Sequence, residues 1–263
     1  MQKRLALLIS GNGTTAEAVI KACQDSQLNG FDPFVISSRS DAPGIERAKK
    51  LGVETFVIDR DKFDSIDKFG EELLNKLKEL KTDFILLCGW LPLITSNIID
   101  TYRNKIINQH PGALDPGRAG FGGKGLSNPF RVTCAVIVYC WLTGEKSWTE
   151  SDIHYVTENF DQGELVRVLK VELPFEKIKL SLDQMKQNED ELVEKTKEAV
   201  KILYPLEYQN VINTLQKFAN GDVGIFKRKY PLIPQENIPL LSAAKEIAIK
   251  LFPHQNLSAD NYE

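Results

Sequence analysis

The sequence predicts an α/β fold, a mostly parallel twisted sheet with helices on both faces, followed by a C-terminal helical extension. Three observations carry that expectation. Short apolar and β-branched runs alternate with helical patterns from Leu5 to Cys88, the signature of parallel strands joined by helical crossovers. From about Leu180 to Phe218 the chain is charged and helical in pattern, and a last helix is expected near Leu240–Leu251 after a proline-punctuated passage. Its 263 residues, 42% hydrophobic and 26% charged, suffice to bury a core without covalent staples.

Strands are expected at Leu5–Ser10, Pro33–Ser37, Glu54–Ile58 and Asp83–Cys88, with helices at Thr15–Cys23, Gly44–Leu51 and Lys62–Leu80 between them. Right-handed crossovers bring the loops after these strands to one sheet edge, where open α/β sheets bind ligands. A fifth strand, Lys105–Gln109, runs into His110-Pro111-Gly112, where proline and glycine end regular structure. The glycine-rich stretch Gly112–Gly125 reads either as a mobile surface loop or as a lid over bound substrate. Pro129–Leu142 suits a helix, although Val132, Val136, Ile137 and Val138 also suit a strand. Ser151–Thr157 and Glu164–Leu173 read as a hairpin, with Ile153, Tyr155 and Thr157 alternating with Asp152, His154 and Val156. Helices follow at Leu180–Tyr204 and Glu207–Phe218, with Gly221 as a stop. The expected division is a domain over 1–220 and an extension over 221–263 with a last helix at Leu240–Leu251.

A net charge of only −3 provides no global field for nucleic acid or an anionic membrane, so neither is expected as a partner. Cys23, Cys88, Cys134 and Cys140 lack C-x-x-C spacing, and the longest apolar runs, Phe84–Leu87 and Ala135–Leu142, fall short of the ~18 residues of a membrane span. Leu5–Ile9 is too short for a signal-peptide core, so a reduced, cytoplasmic location is expected.

Two motifs and one turn carry chemistry. Ser10-Gly11-Asn12-Gly13-Thr14-Thr15 sits where the first strand gives way to the first helix. Its glycines free backbone N–H groups, and the helix N-terminus favours an anion such as a phosphate. The third glycine of a dinucleotide fingerprint is replaced by Ala16, so a nucleotide is poorly supported, and a tight turn capped by Thr14 or Thr15 is the plain alternative. Asn108 and His110 stand two apart at a strand end and so project to one side. Asp161-Gln162-Gly163 forms a turn that can bring a carboxylate to the imidazole. Of the three histidines, His154 reads as a supporting group and His254 lies near the C-terminus, leaving His110 for acid–base work.

These segments, with Cys88-Gly89-Trp90-Leu91-Pro92-Leu93 and Ile153-His154-Tyr155-Val156, occur in an order that resembles the folate-dependent formyltransferases over about residues 3–220. The glycine loop makes the resemblance greatest to the phosphoribosylglycinamide formyltransferases of purine biosynthesis. The resemblance implies a Rossmann-like formyltransferase fold and transfer of a formyl group from 10-formyltetrahydrofolate to the amine of glycinamide ribonucleotide, with no metal, by a monomer or homodimer. It assigns Asn108 and protonated His110 to the developing oxyanion, an effect of roughly 3 kcal/mol per well-placed donor. Asp161 would orient and charge His110 and help to pass the proton. It further implies that Gly11, Asn12, Gly13, Thr14 and Thr15 hold the substrate phosphate, that Pro111, Gly112 and Glu207 contact the substrate, and that Trp90, Leu91, Pro92, Leu93, Thr157 and Glu158 line the pterin pocket. For Trp90, Leu91 and Leu93 a plain core role has equal claim.

The sequence also departs from that family. Pro92 stands where the family usually carries a basic residue, the stretch from His110 to Asp161 is longer than expected, and an alternative alignment through Tyr204-Pro205 removes Glu207 from its assigned place. Competing readings are a formyltetrahydrofolate hydrolase, which often carries a further N-terminal domain not expected here, and an amino-sugar-nucleotide N-formyltransferase. A non-catalytic folate- or phosphate-binding protein has no need for all of Asn108, His110 and Asp161.

Overall fold

A computed structural model describes residues 2–253 apart from 124 and 127, so His254 and the end of the expected extension lie outside the described residues. The strands are β1 (Lys3–Ile9), β2 (Phe31–Ser37), β3 (Thr55–Val57), β4 (Phe84–Leu87), β5 (Ile106–His110), β6 (Trp148–Tyr155) and β7 (Leu165–Glu172). The helices are α1 (Thr14–Gln24), α2 (Gly44–Lys50), α3 (Ile66–Glu79), α4 (Ser96–Thr101), α5 (Pro129–Thr143), α6 (Leu182–Gln187), α7 (Glu189–Asn220) and α8 (Ile238–Leu251). The strands hydrogen-bond in the order β3-β2-β1-β4-β5-β6-β7, and the four pairings from β3 to β5 are parallel.

The chain divides into two compact units. The first comprises residues 1–109, 153–159 and 208–225. In β1, Ala6 and Leu8 join a cluster with Phe69, Leu73 and Leu77 of α3 and Ile98 of α4. Their neighbours Leu5, Leu7 and Ile9 are equally buried. Because side chains alternate along a strand, the sheet here is covered on both faces, which explains why its strands read as continuous apolar runs. The chain runs outward from β1 to β2 and β3 on one side and then crosses from β3 to β4 on the other side of β1, so the carboxyl ends of β1 and β4 flank a topological switch point.

The second unit comprises residues 110–152, 160–207 and 226–263. Its core is built around α5, in which every residue from Phe130 to Leu142 is buried. The Asn128 side chain accepts from Phe130 N at 2.8 Å, Pro129 occupies the first turn and left-handed Gly144 closes the helix. These caps decide between helix and strand for a segment whose β-branched residues fit both. Leu241, Ala244 and Ala248 of α8 pack into the same core.

Two expectations are corrected. Helices at Leu180–Tyr204 and Glu207–Phe218 are instead the short α6 and a 32-residue α7 that passes straight through Pro205. The proline forfeits one backbone bond at a cost of about 3 kcal/mol; Leu203, Val211 and Leu215, buried on either side of it, hold the helix together. Nor is Gly112–Gly125 a loose surface loop, since Ala113, Leu114, Asp115 and Phe121 are buried. Phe121 meets Tyr139 and Trp148 edge-on, at centroid separations of 5.7 and 6.1 Å. Helix α4 was not apparent in the sequence because six residues carry too little periodicity.

Residues 226–233 tie this loop down. Arg228 donates to Leu114 O at 2.7 Å, to Asp152 at 3.2 Å and to Glu150, while Asp152 accepts from Leu114 N at 2.7 Å. Asp115 accepts from Leu232 N at 2.7 Å and from Arg118. Burial, with Glu150 adding, pushes the Asp152 carboxyl well above the usual carboxylate range. Arg228→Met removes the only cation given to this buried acid pair among the described residues and is expected to cost about 3–5 kcal/mol in urea unfolding at neutral pH. A carboxyl whose folded pKa is raised loses stability as pH rises, so the deficit shrinks at mildly acid pH; a pH-independent loss below 1 kcal/mol contradicts this account.

Candidate active site

In the first unit, β1 is followed by Ser10, whose hydroxyl bonds to Ser38 at 2.6 Å and accepts from Leu91 N at 2.9 Å. The ends of β1, β2 and β4 are thereby joined beside the switch point. Gly13, left-handed at φ 64°, occupies the N-cap of α1 with no side-chain cap. The alternative in which Thr14 or Thr15 caps the helix is therefore set aside, and the first-turn N–H groups are left for another acceptor. Gly44 fixes the loop from behind: its N–H donates to Gly11 O at 3.1 Å, and a Cβ there would lie 2.7 Å from Ile9 Cδ1 and 2.9 Å from Gly11 O. Residues 11–15 are half-buried, and Glu17 in the same turn is held by Lys21 and Arg47, so its carboxyl lies below its usual range.

Of the residues expected to line a pterin pocket, Trp90 turns into the core, where it stacks on Phe69 at 5.8 Å. Its indole N–H has no hydrogen-bond partner among the described residues. Leu91 is 39% exposed, Pro92 and Leu93 are half-buried and Thr157 and Glu158 are exposed, so Leu91 to Leu93 offer an apolar surface while Trp90 belongs to the core. That set fits an aromatic ligand better than a charged one.

Asn108, also in the first unit, donates from Nδ2 toward His154 Nε2 at 3.1 Å. His154 Nδ1 lies 2.8 Å from Tyr155 O. A carbonyl only accepts, so Nδ1 carries the hydrogen and Nε2 is the acceptor for Asn108. One amide hydrogen of Asn108 is thus committed to His154, and the other is fixed in direction. The sequence reading of His154 as a supporting group understated this, because its partner, 46 positions earlier, leaves no local signal.

In the second unit, β5 ends at His110, which is buried. Its Nδ1 lies 3.0 Å from Gly112 O, so this nitrogen is the donor. Its Nε2 makes no hydrogen bond among the described residues and faces Asp161 Oδ2 at 3.7 Å. The backbone carbonyl engages one ring nitrogen, and the Asp161 carboxylate faces the opposite one at an ion-pair distance. Gly112 permits the turn, because a Cβ there would come within 2.1 Å of Val132 Cγ1. Asp161 itself is left-handed at φ 56°, an uncommon conformation that the surrounding bonds must hold. Gly123 N donates to Asp161 Oδ2 at 2.8 Å and Gly117 N to Gln162 Oε1 at 2.8 Å.

Glu207 is buried on α7, at the end of the second unit's share of that helix, and Pro111 is half-buried. The four cysteines form no disulfide, and burial pushes Cys23 up to about 11 and Cys134 to about 12, so neither supplies a thiolate nucleophile. Among the described residues no group of three or more His, Cys, Asp or Glu is placed to hold a metal, and no helix is long and apolar enough to cross a membrane.

Comparison with known proteins completes the picture. The chloroplastic phosphoribosylglycinamide formyltransferase of Arabidopsis thaliana is 30% identical over 189 residues, 70% of this chain and 61% of that protein. The Escherichia coli phosphoribosylglycinamide formyltransferase is 28% identical over 169 residues, 64% of this chain and 72% of that protein. The chain thus spans less than two thirds of the Arabidopsis relative. The crystal structure of glycinamide ribonucleotide transformylase 1 from Symbiobacterium toebii superposes with a TM-score of 0.66 at 25% identity, covering 86% of this chain and 95% of that one. The model of the formyl transferase family matches residues 3–195, and the chain belongs to that family.

Proposed function

We propose that this protein transfers a formyl group from 10-formyltetrahydrofolate to the amine of glycinamide ribonucleotide. The observation that carries the reading is His110 Nε2 held unbonded and facing Asp161 Oδ2 at 3.7 Å, with Asn108 two residues earlier on β5. Relatives in Arabidopsis thaliana and Escherichia coli bearing the name phosphoribosylglycinamide formyltransferase support it.

When bound, the folate supplies an activated formyl carbon. The chain's own groups supply the rest. Asn108 Nδ2 and protonated His110 Nε2 present hydrogens to the carbonyl oxygen as the amine attacks and charge develops there; such donors contribute most when fixed in advance. Asn108 is fixed by His154, and His110 by Gly112 O. Asp161 balances the imidazolium charge and takes part in moving the proton lost by the amine to the departing nitrogen. Backbone N–H groups at the start of α1 receive the substrate phosphate, and Leu91, Pro92, Leu93, Thr157 and Glu158 contact the pterin. Pro111 and Gly112 position the substrate beside the imidazole, with Glu207 as a further polar contact.

Asn108→Ala, His110→Ala and Asp161→Asn are each expected to lower kcat by at least about a hundredfold, with a cooperative thermal transition showing that each variant still folds. An acceptor screen with 10-formyltetrahydrofolate, comparing glycinamide ribonucleotide, water and an amino sugar nucleotide, should show formyl transfer to the first; exclusive hydrolysis or transfer to the sugar refutes the acceptor, and full turnover by the His110 variant refutes the mechanism. Gly112→Ala forces its methyl against Val132 and is expected to cost about 1–3 kcal/mol of stability and to depress kcat more than it raises KM, as steady-state kinetics on the folded fraction will show.

A further inference from the structure

Helix α8 lies beyond the residues matched by the family model, yet one of its side chains reaches the candidate catalytic pair. Lys245 Nζ donates to Gly122 O at 3.0 Å. The N–H of the same peptide unit, on Gly123, donates to Asp161 Oδ2 at 2.8 Å. That oxygen is the one facing His110 Nε2. Lys245, the Gly122–Gly123 peptide, Asp161 and His110 therefore form one line within the second unit.

We propose that Lys245 is a positioning residue for the Asp161–His110 pair, acting through the peptide between Gly122 and Gly123. This deepens the formyl-transfer reading and rests on it for its catalytic consequence. An ammonium on the carbonyl of a peptide polarises the unit and makes its N–H a better donor, so the bond to the carboxylate strengthens. The charge also favours ionised Asp161 through space. The geometry is tight enough to transmit both: a Cβ on Gly122 would lie 2.5 Å from Leu114 Cδ2 and 2.8 Å from Asp161 Cβ, so the peptide is pressed against the aspartate's own side chain.

Lys245 and Asp161 also line a cavity of about 220 Å³ with Asp115, Arg118, Gln162 and Leu241. Among the described residues, the charged groups lining that cavity with Lys245 are thus Asp161 of the β6–β7 turn and Asp115 and Arg118 of the glycine-rich loop, and His110 faces Asp161. Arg118 is bonded to Asp115 at 2.8 Å, which leaves Asp161 as the acid that Lys245 serves. Burial holds the Lys245 ammonium below the usual lysine range, and Asp161 opposes that fall.

The test combines two readouts on the full chain, comparing wild type with Lys245→Met, Lys245→Gln and Lys245→Arg; the glutamine variant serves if the methionine variant does not fold. Carbon-13 NMR of the Asp161 carboxyl, identified by its loss in Asp161→Asn, should show the titration midpoint moving upward by about one pH unit in the methionine and glutamine variants and returning toward wild type in the arginine variant. With glycinamide ribonucleotide and 10-formyltetrahydrofolate, kcat measured on the acid limb of the pH profile should fall roughly tenfold with KM within about twofold, and the acid limb of the kcat/KM profile should move the same way as the titration. An Asp161 titration unmoved by loss of Lys245 overturns the proposal whatever the activity. A moved titration in a wild-type protein that transfers no formyl group supports the positioning role and overturns the formyl-transfer reading alone.

Discussion

The hydrogen bond from His110 Nδ1 to the Gly112 carbonyl, 3.0 Å long, is the constraint on which the site depends. A neutral imidazole has one hydrogen, and committing it to Nδ1 leaves Nε2 as the nitrogen that gains and loses a proton. The acceptor is a backbone group two residues on, so the ring direction is set by the His110-Pro111-Gly112 turn and by the contact that turn makes with Val132 of α5. A buried, largely apolar helix thus fixes the geometry of a polar reaction. The carboxylate of Asp161 can then face Nε2 as a charge partner without being needed to steer the ring.

Asn108 is fixed by parallel means. Its amide is oriented by an imidazole, His154, that is itself oriented by a backbone carbonyl. In each case a main-chain group belonging to regular structure or a tight turn sets the direction of a side chain, which avoids the rotamer freedom that a chain of flexible polar residues would retain. Asp161 is held in a left-handed conformation by the same strategy, with Gly123 N on its carboxylate. Segment 226–233 and helix α8 supply the clamp, through Arg228, Leu232 and Lys245, that keeps the glycine-rich stretch in place.

Much of this was legible in the residues alone. The parallel strands announce themselves as apolar runs because the sheet is covered on both faces, and Asn108, His110 and Asp161 stand out because strand ends and glycine turns are where α/β folds place chemistry. What the sequence concealed is of two kinds. Pro205 inside α7 reads as a break, because local propensity registers the lost backbone bond but not the buried Leu203, Val211 and Leu215 around it. The partnerships of Lys245 with Gly122, Arg228 with Asp152 and Asn108 with His154 span 123, 76 and 46 positions, and no periodicity or spacing rule connects residues so far apart. The packing of Gly112–Gly125 was hidden for the same reason, since its burial depends on α5 and on residues that follow 225.

The central claim is the tautomer and direction of His110, and nitrogen-15 NMR of the neutral imidazole tests it most directly. The account predicts a protonated, pyrrole-type Nδ1 and an unprotonated, pyridine-type Nε2 for the neutral form of His110. A resonance pattern with the hydrogen on Nε2 would contradict it, because the bond to Gly112 would then be absent and Asp161 would have to orient the ring instead.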